Sequence, residues 1–298
     1  MTNYDAIDFA DLLALSDEEV VTHSYVRDIP LPSGKVLALV SLDNGMDYKR
    51  PNTLGPKGLM ELDKTLVALS DRAAQGEIHG VAVTGKEFIL AAGADLSRVS
   101  DVPSKAMAVK LAQLGHRALG RLGQLGVPSF VFINGLALGG GLEVALNADY
   151  RTVDANVSTI ALPEVFLGLI PGWGGAYLLP NLIGIENALK VIIENPLKNN
   201  RMLNASAAFE LGIADAMFGS ARFLEESILW ADSVLNGHQP HRPNQPGKVE
   251  RLAKWNLAVN IAKKSVEEKL GTVAKSPYAA LELLEQARKV DKEAAFAR

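Results

Sequence analysis

Two hydrophobic patterns alternate over the first 218 residues of the chain. Short continuous apolar runs, which are typical of buried strands, lie at 35–42, 80–84 and 129–133. Between these runs, leucines recur at helical spacing over 57–75 and 104–125. Short strands that alternate with helices predict an α/β core, and the purely helical pattern that follows predicts a helical C-terminal region.

A proline-rich stretch separates these two parts. The sequence NGHQPHRPNQPG contains three prolines and two glycines, as expected of a linker at 237–247. We therefore predict a core domain over 1–236, of which 1–21 form an N-terminal arm, and a helical region over 248–298.

Composition and charge narrow the classes of function. Hydrophobic residues make up 48% of the chain and the net charge is −4, which suits a globular protein and argues against a general nucleic-acid binder. The chain has no cysteine and its five histidines lack metal-binding spacing, so we expect neither disulfides nor a metal site. No apolar run reaches the ~18 residues of a membrane span, and the acidic N-terminus does not resemble a secretory signal. We therefore expect a cytoplasmic protein.

A glycine cluster follows the apolar run at 129–133. Gly139, Gly140 and Gly141 precede a segment of helix-forming composition, Leu142 to Ala148. A strand followed by glycines that open a helix leaves backbone N–H groups at the positive end of that helix. Such a place suits an oxyanion or another anion.

Two carboxyl groups lie close to this cluster in the sequence. Glu143 sits between Leu142 and Val144, and Glu164 lies in the apolar run ALPEVFLGLIPG. An ionised carboxylate in apolar surroundings is costly unless it is paired or used, so the two together indicate acid/base chemistry. Taken singly, Glu143 could equally cap its helix and Glu164 could belong to an ordinary turn.

A second run of small residues, Ala92 to Asp95, offers another place where the backbone can approach a ligand closely. Its alternative interpretation is an ordinary turn before a helix that Asp95 caps.

Three motifs, FILAAGADL, INGLALGGGLEVA and LPEVFLGLIPGWGG, occur in this order and together resemble the enoyl-CoA hydratase/isomerase (crotonase) superfamily over about 35–218. The final helices are similar to those that follow the hydratase module in the α-subunit of fatty-acid β-oxidation multienzymes. The resemblance implies a crotonase-like (ββα)n spiral core with a helical C-terminal region.

The resemblance also implies roles for individual residues. The N–H groups of Ala94 and Gly140 would bind the thioester oxygen, and Glu143 and Glu164 would be the catalytic carboxyls. Residues expected to contact the coenzyme A thioester are Arg50, Asn52, Ala92, Asp95, Leu96, Gly172 and Trp173.

The implied reaction is hydration of a trans-2-enoyl-CoA to a 3-hydroxyacyl-CoA in fatty-acid β-oxidation. Coenzyme A would enter as part of the substrate, and no resident cofactor is expected. By analogy, the protein would be a homo-oligomer, a trimer or hexamer, or part of a β-oxidation multienzyme.

Other functions stay open at this point. Isomerisation of a 3-enoyl-CoA to its conjugated isomer needs one carboxyl, most simply Glu164, and other acyl-CoA-processing crotonases are a further possibility. A docking module is a remote alternative. RNA binding is another, although the helix at 57–75 lacks a basic stripe because Lys57 and Lys64 lie among acids.

Overall fold

Nine strands form two sheets in the computed structural model, which describes residues 4–15, 18–95, 104–271, 273–290 and 294–295. The strands are β1 His23–Pro30, β2 Val36–Asp43, β3 Gly80–Gly85, β4 Phe88–Ala91, β5 Ser129–Ile133, β6 Gly135–Leu138, β7 Tyr150–Asp154, β8 Ile160–Ala161 and β9 Ala216–Phe218. The larger sheet has the order β1-β2-β3-β5-β7-β9, and the smaller sheet has the order β4-β6-β8. Only the β1–β2 pair is antiparallel among these described strands.

Helices cover the sheets and make up the C-terminal part. They are α1 Pro56–Ala74, α2 Lys105–Gly120, α3 Gly140–Asn147, α4 Gly175–Ile183, α5 Ile185–Leu189, α6 Asn195–Leu197, α7 Ala205–Leu211, α8 Phe223–Leu235, α9 Trp255–Leu270 and α10 Ser276–Gln286. Turns of 3-10 helix occur at Tyr4–Ala6, Ala10–Leu15, Arg121–Gln124, Glu164–Leu167 and Ser220–Arg222, and π-helical turns at Lys190–Glu194 and Glu250–Lys254. The predicted α/β class with a helical C-terminal region is confirmed.

The core is built from a repeated strand–strand–helix unit. In β3-β4-α2, β5-β6-α3 and β7-β8-α4, the first strand joins the larger sheet and the second joins the smaller one. The chain therefore turns a corner between sheets in every unit. At Gly135, a Cβ atom would lie 1.8 Å from the carbonyl oxygen of Phe88, so only glycine allows this close passage.

Apolar side chains fill the space on both faces of the larger sheet. The main cluster contains the buried leucines of α1 and α2, and a smaller cluster packs Phe130 and Phe132 against Phe223 of α8. The main cluster also includes Trp255 of α9, whose indole N–H donates to the carbonyl of Leu284, 2.8 Å away. The helices of 248–298 thus pack on the core, while the predicted domain boundary itself stays a prediction.

The predicted linker is held to the core by a buried ion-pair network. Arg242 Nε lies 2.7 Å from Asp215 Oδ1, and Arg151 Nη2 lies 3.2 Å from Asp215 Oδ2. The side chain of Asp215 is fully buried and that of Arg151 is 2% exposed. Because a buried guanidinium needs its counter-charge, this network fixes β7, the segment before β9 and the linker together.

No helix in the described part of the chain has the length and the hydropathy needed to cross a bilayer.

We predict that Asp215→Asn lowers the free energy of unfolding by about 3–5 kcal/mol, because it leaves the buried Arg151 without its carboxylate. Urea denaturation measures this change. The matched control is Glu225→Gln, which removes a carboxylate from an ion pair whose two side chains are 59% and 60% exposed; its midpoint should equal that of the unaltered protein. Equal midpoints for Asp215→Asn and the unaltered protein would contradict the structural role of the network.

Candidate active site

Three loops meet at one edge of the smaller sheet. Because β4, β6 and β8 are parallel, their carboxyl ends point in the same direction. The chain continues from β4 into residues 92–95, from β6 into the glycine cluster, and from β8 to Glu164. These segments belong to the three motifs singled out in the sequence. Ligands of α/β folds commonly bind at such strand ends.

A cavity of about 280 Å³ lies between these loops and α2. This volume is close to the lower limit for small-molecule sites, and the lining is largely apolar with two carboxyl groups. The residues that line it are Ala92, Gly93, Ala94, Ala108, Leu111, Ala112, Gly139, Gly140, Glu143, Pro163, Glu164, Leu167, Leu169, Ile170, Gly172 and Trp173.

Two backbone amides of this cavity are available to a ligand. A Cβ atom at Gly93, whose φ is +88°, would lie 2.8 Å from the nitrogen of Gly140, so the segments that carry Ala94 and Gly140 are in contact. Among the hydrogen bonds of the described residues, none uses the N–H of Ala94 or of Gly140. Gly140 is also the first residue of α3, where the helix leaves its N–H groups without internal partners. Together the two N–H groups can stabilise negative charge on an oxygen.

Two backbone hydrogen bonds from a neighbouring segment hold the loop that carries Ala94. Leu54 N donates to Gly93 O at 2.8 Å, and Ala92 N donates to Asn52 O at 2.8 Å. These bonds make the segment of Asn52 and Leu54 a short parallel neighbour of the loop. The position of the Ala94 amide is therefore fixed before a ligand binds.

Glu143 is a buried carboxyl with two strong hydrogen bonds. It lies in the first turn of α3 and is 2% exposed. Its Oε1 accepts from the N–H groups of Trp173 and Gly175, each at 2.8 Å. Burial raises the pKa of Glu143 to about 7, although the two amide hydrogen bonds act to lower it. This carboxyl can therefore gain and lose a proton near neutral pH.

Glu164 is also buried, but its hydrogen bonding differs from that of Glu143. It opens the 3-10 turn Glu164–Leu167, is 8% exposed, and its buried Oε2 has no hydrogen-bond partner among the described residues. Burial raises the pKa of Glu164 well above its ordinary value, and the neighbouring charge of Glu143 raises it further. The pair thus combines a carboxyl that titrates near neutral pH, Glu143, with one whose protonated form is favoured by its surroundings, Glu164.

Trp173 and Gly172, which were predicted to contact the ligand, line the cavity. The indole packs close to the α-carbon of Gly140 on one side and to that of Gly115 in α2 on the other, since a Cβ atom at either glycine would overlap the ring. Ala92 also lines the cavity.

Three further predicted ligand contacts, Arg50, Asn52 and Asp95, are described and do not line this cavity. Arg50 is exposed on the loop between β2 and α1, and Asp95 is partly buried beyond Ala94. Leu96 lies outside the described residues. The side chain of Asn52 is fully buried and its amide donates to the carbonyls of Leu42 and Leu90, so contact of Asn52 with a ligand stays a prediction.

Sequence reasoning missed the walls of the cavity. Ala108, Leu111 and Ala112 of α2 line it, as do Leu167, Leu169 and Ile170. The sequence predicted a helix here from the spacing of its leucines, and periodicity alone cannot tell a core-facing surface from a cavity wall.

Within the described ranges, no group of three or more histidine, aspartate or glutamate side chains is arranged to hold a metal ion.

The chain is similar to several known proteins. The family model described as Enoyl-CoA hydratase/isomerase matches residues 43–273. A protein named fatty acid oxidation complex subunit alpha, from Shewanella loihica, is 33% identical over 227 residues, which are 73% of this chain and 31% of that protein. A protein of the same name from Pseudomonas syringae pv. tomato is 29% identical over 267 residues, or 85% of this chain and 36% of that protein. The chain thus spans about a third of the length of these curated relatives.

Solved structures share the fold. The crystal structure of an enoyl-CoA hydratase from Bacillus anthracis has a TM-score of 0.62 and 24% identity over 90% of both chains. The structure of a protein from Geobacillus kaustophilus, also titled as an enoyl-CoA hydratase, has a TM-score of 0.63 and 21% identity over 88% of both chains. These similarities confirm the predicted spiral core.

We predict that the stability of the unaltered protein, relative to a Glu164→Gln variant, falls as the pH rises above about 5, where a glutamate of the unfolded chain is ionised. The pKa of Glu164 is raised by folding, so over this range the native state keeps a proton that the unfolded state has lost. Stability therefore decreases with pH up to the folded pKa, and the amide removes this dependence. Denaturation at a series of pH values measures the difference, and a difference that is constant with pH would contradict the raised pKa.

Proposed function

The chain belongs to the enoyl-CoA hydratase/isomerase family, and from this premise we propose that it adds water across the 2,3 double bond of a trans-2-enoyl-CoA to give the 3-hydroxyacyl-CoA. One observation carries the proposal. Two buried carboxyls with different hydrogen-bond environments line the same cavity as two backbone amides that no described residue occupies. Addition of water to a conjugated thioester needs both the carboxyls, which transfer protons, and the amides, which stabilise charge on the thioester oxygen.

The amides of Ala94 and Gly140 would bind the thioester oxygen. When water attacks the β-carbon, negative charge moves through the conjugated system to this oxygen. Preorganised N–H donors stabilise that charge where it develops, and one such donor is typically worth ~3 kcal/mol of activation free energy. The bonds that fix Gly93 and Ala92 keep the Ala94 amide in position during the reaction.

The two glutamates would divide the proton transfers. Glu143, as carboxylate, takes a proton from the water whose oxygen bonds to the β-carbon. Glu164, as carboxylic acid, donates its proton to the α-carbon, and the enolate charge returns to form the thioester carbonyl. Afterwards Glu143 holds a proton and Glu164 does not, so one proton passes between the neighbouring carboxyls to restore the pair. The different environments of the two groups favour this division.

The acyl group and the nucleotide end of the substrate would lie on either side of the two glutamates. Trp173 and the apolar residues of α2 exclude water from the acyl group, which strengthens the interactions of the carboxyls and amides. The nucleotide end of coenzyme A would extend past Ala92 towards Arg50. No resident cofactor takes part in the proposed reaction.

Isomerisation of a 3-enoyl-CoA to the conjugated isomer is the second candidate. The observation that favours it is the buried Oε2 of Glu164, which has no partner in the described part of the chain. In its ionised form, a single carboxyl without a partner can remove a proton from one carbon and return it to another. Because Glu143 would be unnecessary for this reaction, the two activities can coexist in the same cavity.

The named relatives suggest a physiological setting. They are subunits of fatty acid oxidation complexes, and the chain spans about a third of their length. We accordingly propose that the reaction belongs to fatty-acid β-oxidation in the cytoplasm. A homo-oligomer, as trimer or hexamer, and a place within a larger multienzyme are the two assemblies that we propose.

We predict that Glu143→Gln and Glu164→Gln each lower the turnover of trans-2-butenoyl-CoA by about 10²–10⁴-fold, because each removes one proton-transferring group and keeps its shape. The loss of the conjugated-thioester absorbance measures turnover, and thermal denaturation verifies folding. Glu61→Gln is the matched control, since Glu61 Oε1 also accepts a backbone N–H, that of Ser24 at 2.8 Å, but lies away from the cavity. Turnover near that of the unaltered protein in both site variants would rule out the assignment.

We predict a different pattern with a 3-enoyl-CoA. Glu164→Gln should abolish formation of the conjugated product, whereas Glu143→Gln should keep most of it, because only one carboxyl moves the proton. The gain of conjugated-thioester absorbance reports the reaction. If the unaltered protein forms no conjugated product, isomerisation is excluded, and if both variants lose it equally, the single-carboxyl scheme is wrong.

A further inference from the structure

A buried asparagine lies one helical turn after Glu143. Asn147 is the last residue of α3, is 4% exposed and does not line the catalytic cavity. Its amide group donates two hydrogen bonds, one to the carbonyl of Glu143 at 2.9 Å and one to the carbonyl of Trp173 at 3.1 Å. The first bond stays within α3, whereas the second crosses to the segment before α4. Asn147 therefore connects the helix that carries Glu143 to the turn that binds the Glu143 carboxyl.

This turn, residues 173–175, grips one oxygen of Glu143. The N–H groups of Trp173 and Gly175 both donate to Oε1 at 2.8 Å, and Gly174 between them has a φ of +112°. A left-handed residue between two amides lets both N–H groups point to the same side, which makes a small anion-binding nest. No described residue donates to Oε2, so this is the oxygen that can accept from the reacting water. The direction of the carboxyl thus depends on the turn.

Asn147 closes a ring of hydrogen bonds through this turn. The ring runs from the Glu143 carboxyl to the backbone of Trp173, then to the Asn147 amide, and from there to the backbone of Glu143. Gly172 and Gly174 flank Trp173, and glycine restricts the backbone little. Without the bond from Asn147, the peptide group after Trp173 can rotate, and the two N–H groups are no longer held at Oε1.

The asparagine carries a cost in stability. Its Oδ1 is buried and accepts no hydrogen bond from the described residues. A buried acceptor without a donor lowers the free energy of unfolding, and asparagine has a lower helix propensity than leucine. An apolar side chain of similar size would fill this place without that cost. The two bonds that Asn147 donates are therefore the property for which its position needs an amide.

We propose that Asn147 is a positioning residue for the reaction, which fixes the turn at 173–175 so that the amides of this turn hold the Glu143 carboxyl in the direction needed to take a proton from water. Asn147 does not line the cavity, so it acts only through the turn. This inference rests on the proposed function, because it assigns the support of the base in that reaction.

The dependence of turnover on pH tests this role. The two amide bonds lower the pKa of Glu143 against the effect of burial, so weakening them should raise it. Asn147→Leu keeps a side chain of similar size and removes both donated bonds. For hydration of trans-2-butenoyl-CoA, the acid limb of the kcat/KM profile should move to higher pH by about 0.5 unit or more. The loss should be about threefold or more at pH 6 and should shrink as the pH rises.

The groups around Glu143 allow this limb to be assigned. Glu164 is the other titratable side chain among the described residues that line the cavity, since α2, residues 92–94 and residues 167–172 contribute none. Glu164 acts as an acid in the proposed reaction and therefore shapes the basic limb, whereas Glu143 shapes the acid limb.

Two further variants make the test specific. Asn187 also donates to a carbonyl four residues earlier, that of Ile183 at 2.9 Å, and does not line the cavity. Asn187→Leu is the matched control and should leave the profile unchanged. Asn147→Ser keeps one donor, which can bond to the carbonyl of Glu143 but not also to that of Trp173. It should move the acid limb in the same direction, and it provides the test if Asn147→Leu does not fold.

Infrared difference spectroscopy separates this inference from the proposed reaction. The difference between each protein and its Glu143→Gln counterpart reports the protonation of Glu143 without a substrate. Glu143 should titrate at higher pH in Asn147→Leu than in the unaltered protein. If no enoyl-CoA is hydrated while this difference holds, the proposed reaction fails and the role of Asn147 in fixing Glu143 stands. An equal loss of turnover at every pH, or the same titration of Glu143 in both proteins, would overturn the inference.

Discussion

The burial of two carboxyl groups against one apolar cavity is the constraint on which the rest of this structure depends. Two neighbouring buried negative charges repel each other, so the protonated form of one group is favoured. The hydrogen bonds decide which one. Glu143 receives the N–H groups of Trp173 and Gly175, whereas Glu164 Oε2 receives none from the described residues. The fold thus prepares a base and an acid from the same residue type.

The topology explains why these groups meet. Each strand–strand–helix unit passes from the larger sheet to the smaller one, and the three short strands β4, β6 and β8 end at the same edge. Their loops carry the amide of Ala94, the amide of Gly140 and the carboxyl of Glu164 in turn. Short segments directly after the strands, together with the N-terminus of α3, therefore hold the polar groups of the site, and this limits the reorganisation needed during a reaction.

The larger elements of the fold could be predicted from the sequence because their patterns are long. The strands β2, β3 and β5 carry continuous apolar runs, the helices α1 and α2 carry leucines at helical spacing, and the structure confirms them. The strands β6 and β8 have only four and two residues, which is too short for any periodicity. Asn134 and Gly135 form the corner between β5 and β6.

The site could be predicted in part for a related reason. Gly140, Glu143 and Glu164 stand out locally, because glycine clusters and carboxyls in apolar runs are unusual, and the structure brings them to one cavity. The role of Asn52 could not be read from the sequence, since its hydrogen bonds to Leu42 and Leu90 depend on the packing of distant segments. The same holds for the cavity face of α2 and for the bond from Asn147 to the carbonyl of Trp173.

Infrared difference spectroscopy of Glu164 tests the central claim most directly, because it observes the protonation of this carboxyl without a substrate. The account predicts a protonated-carboxyl stretching band at neutral pH that is absent from the Glu164→Gln variant and persists in Glu143→Gln. A spectrum at neutral pH that shows only ionised carboxylates, with no band that the Glu164→Gln substitution removes, would contradict it.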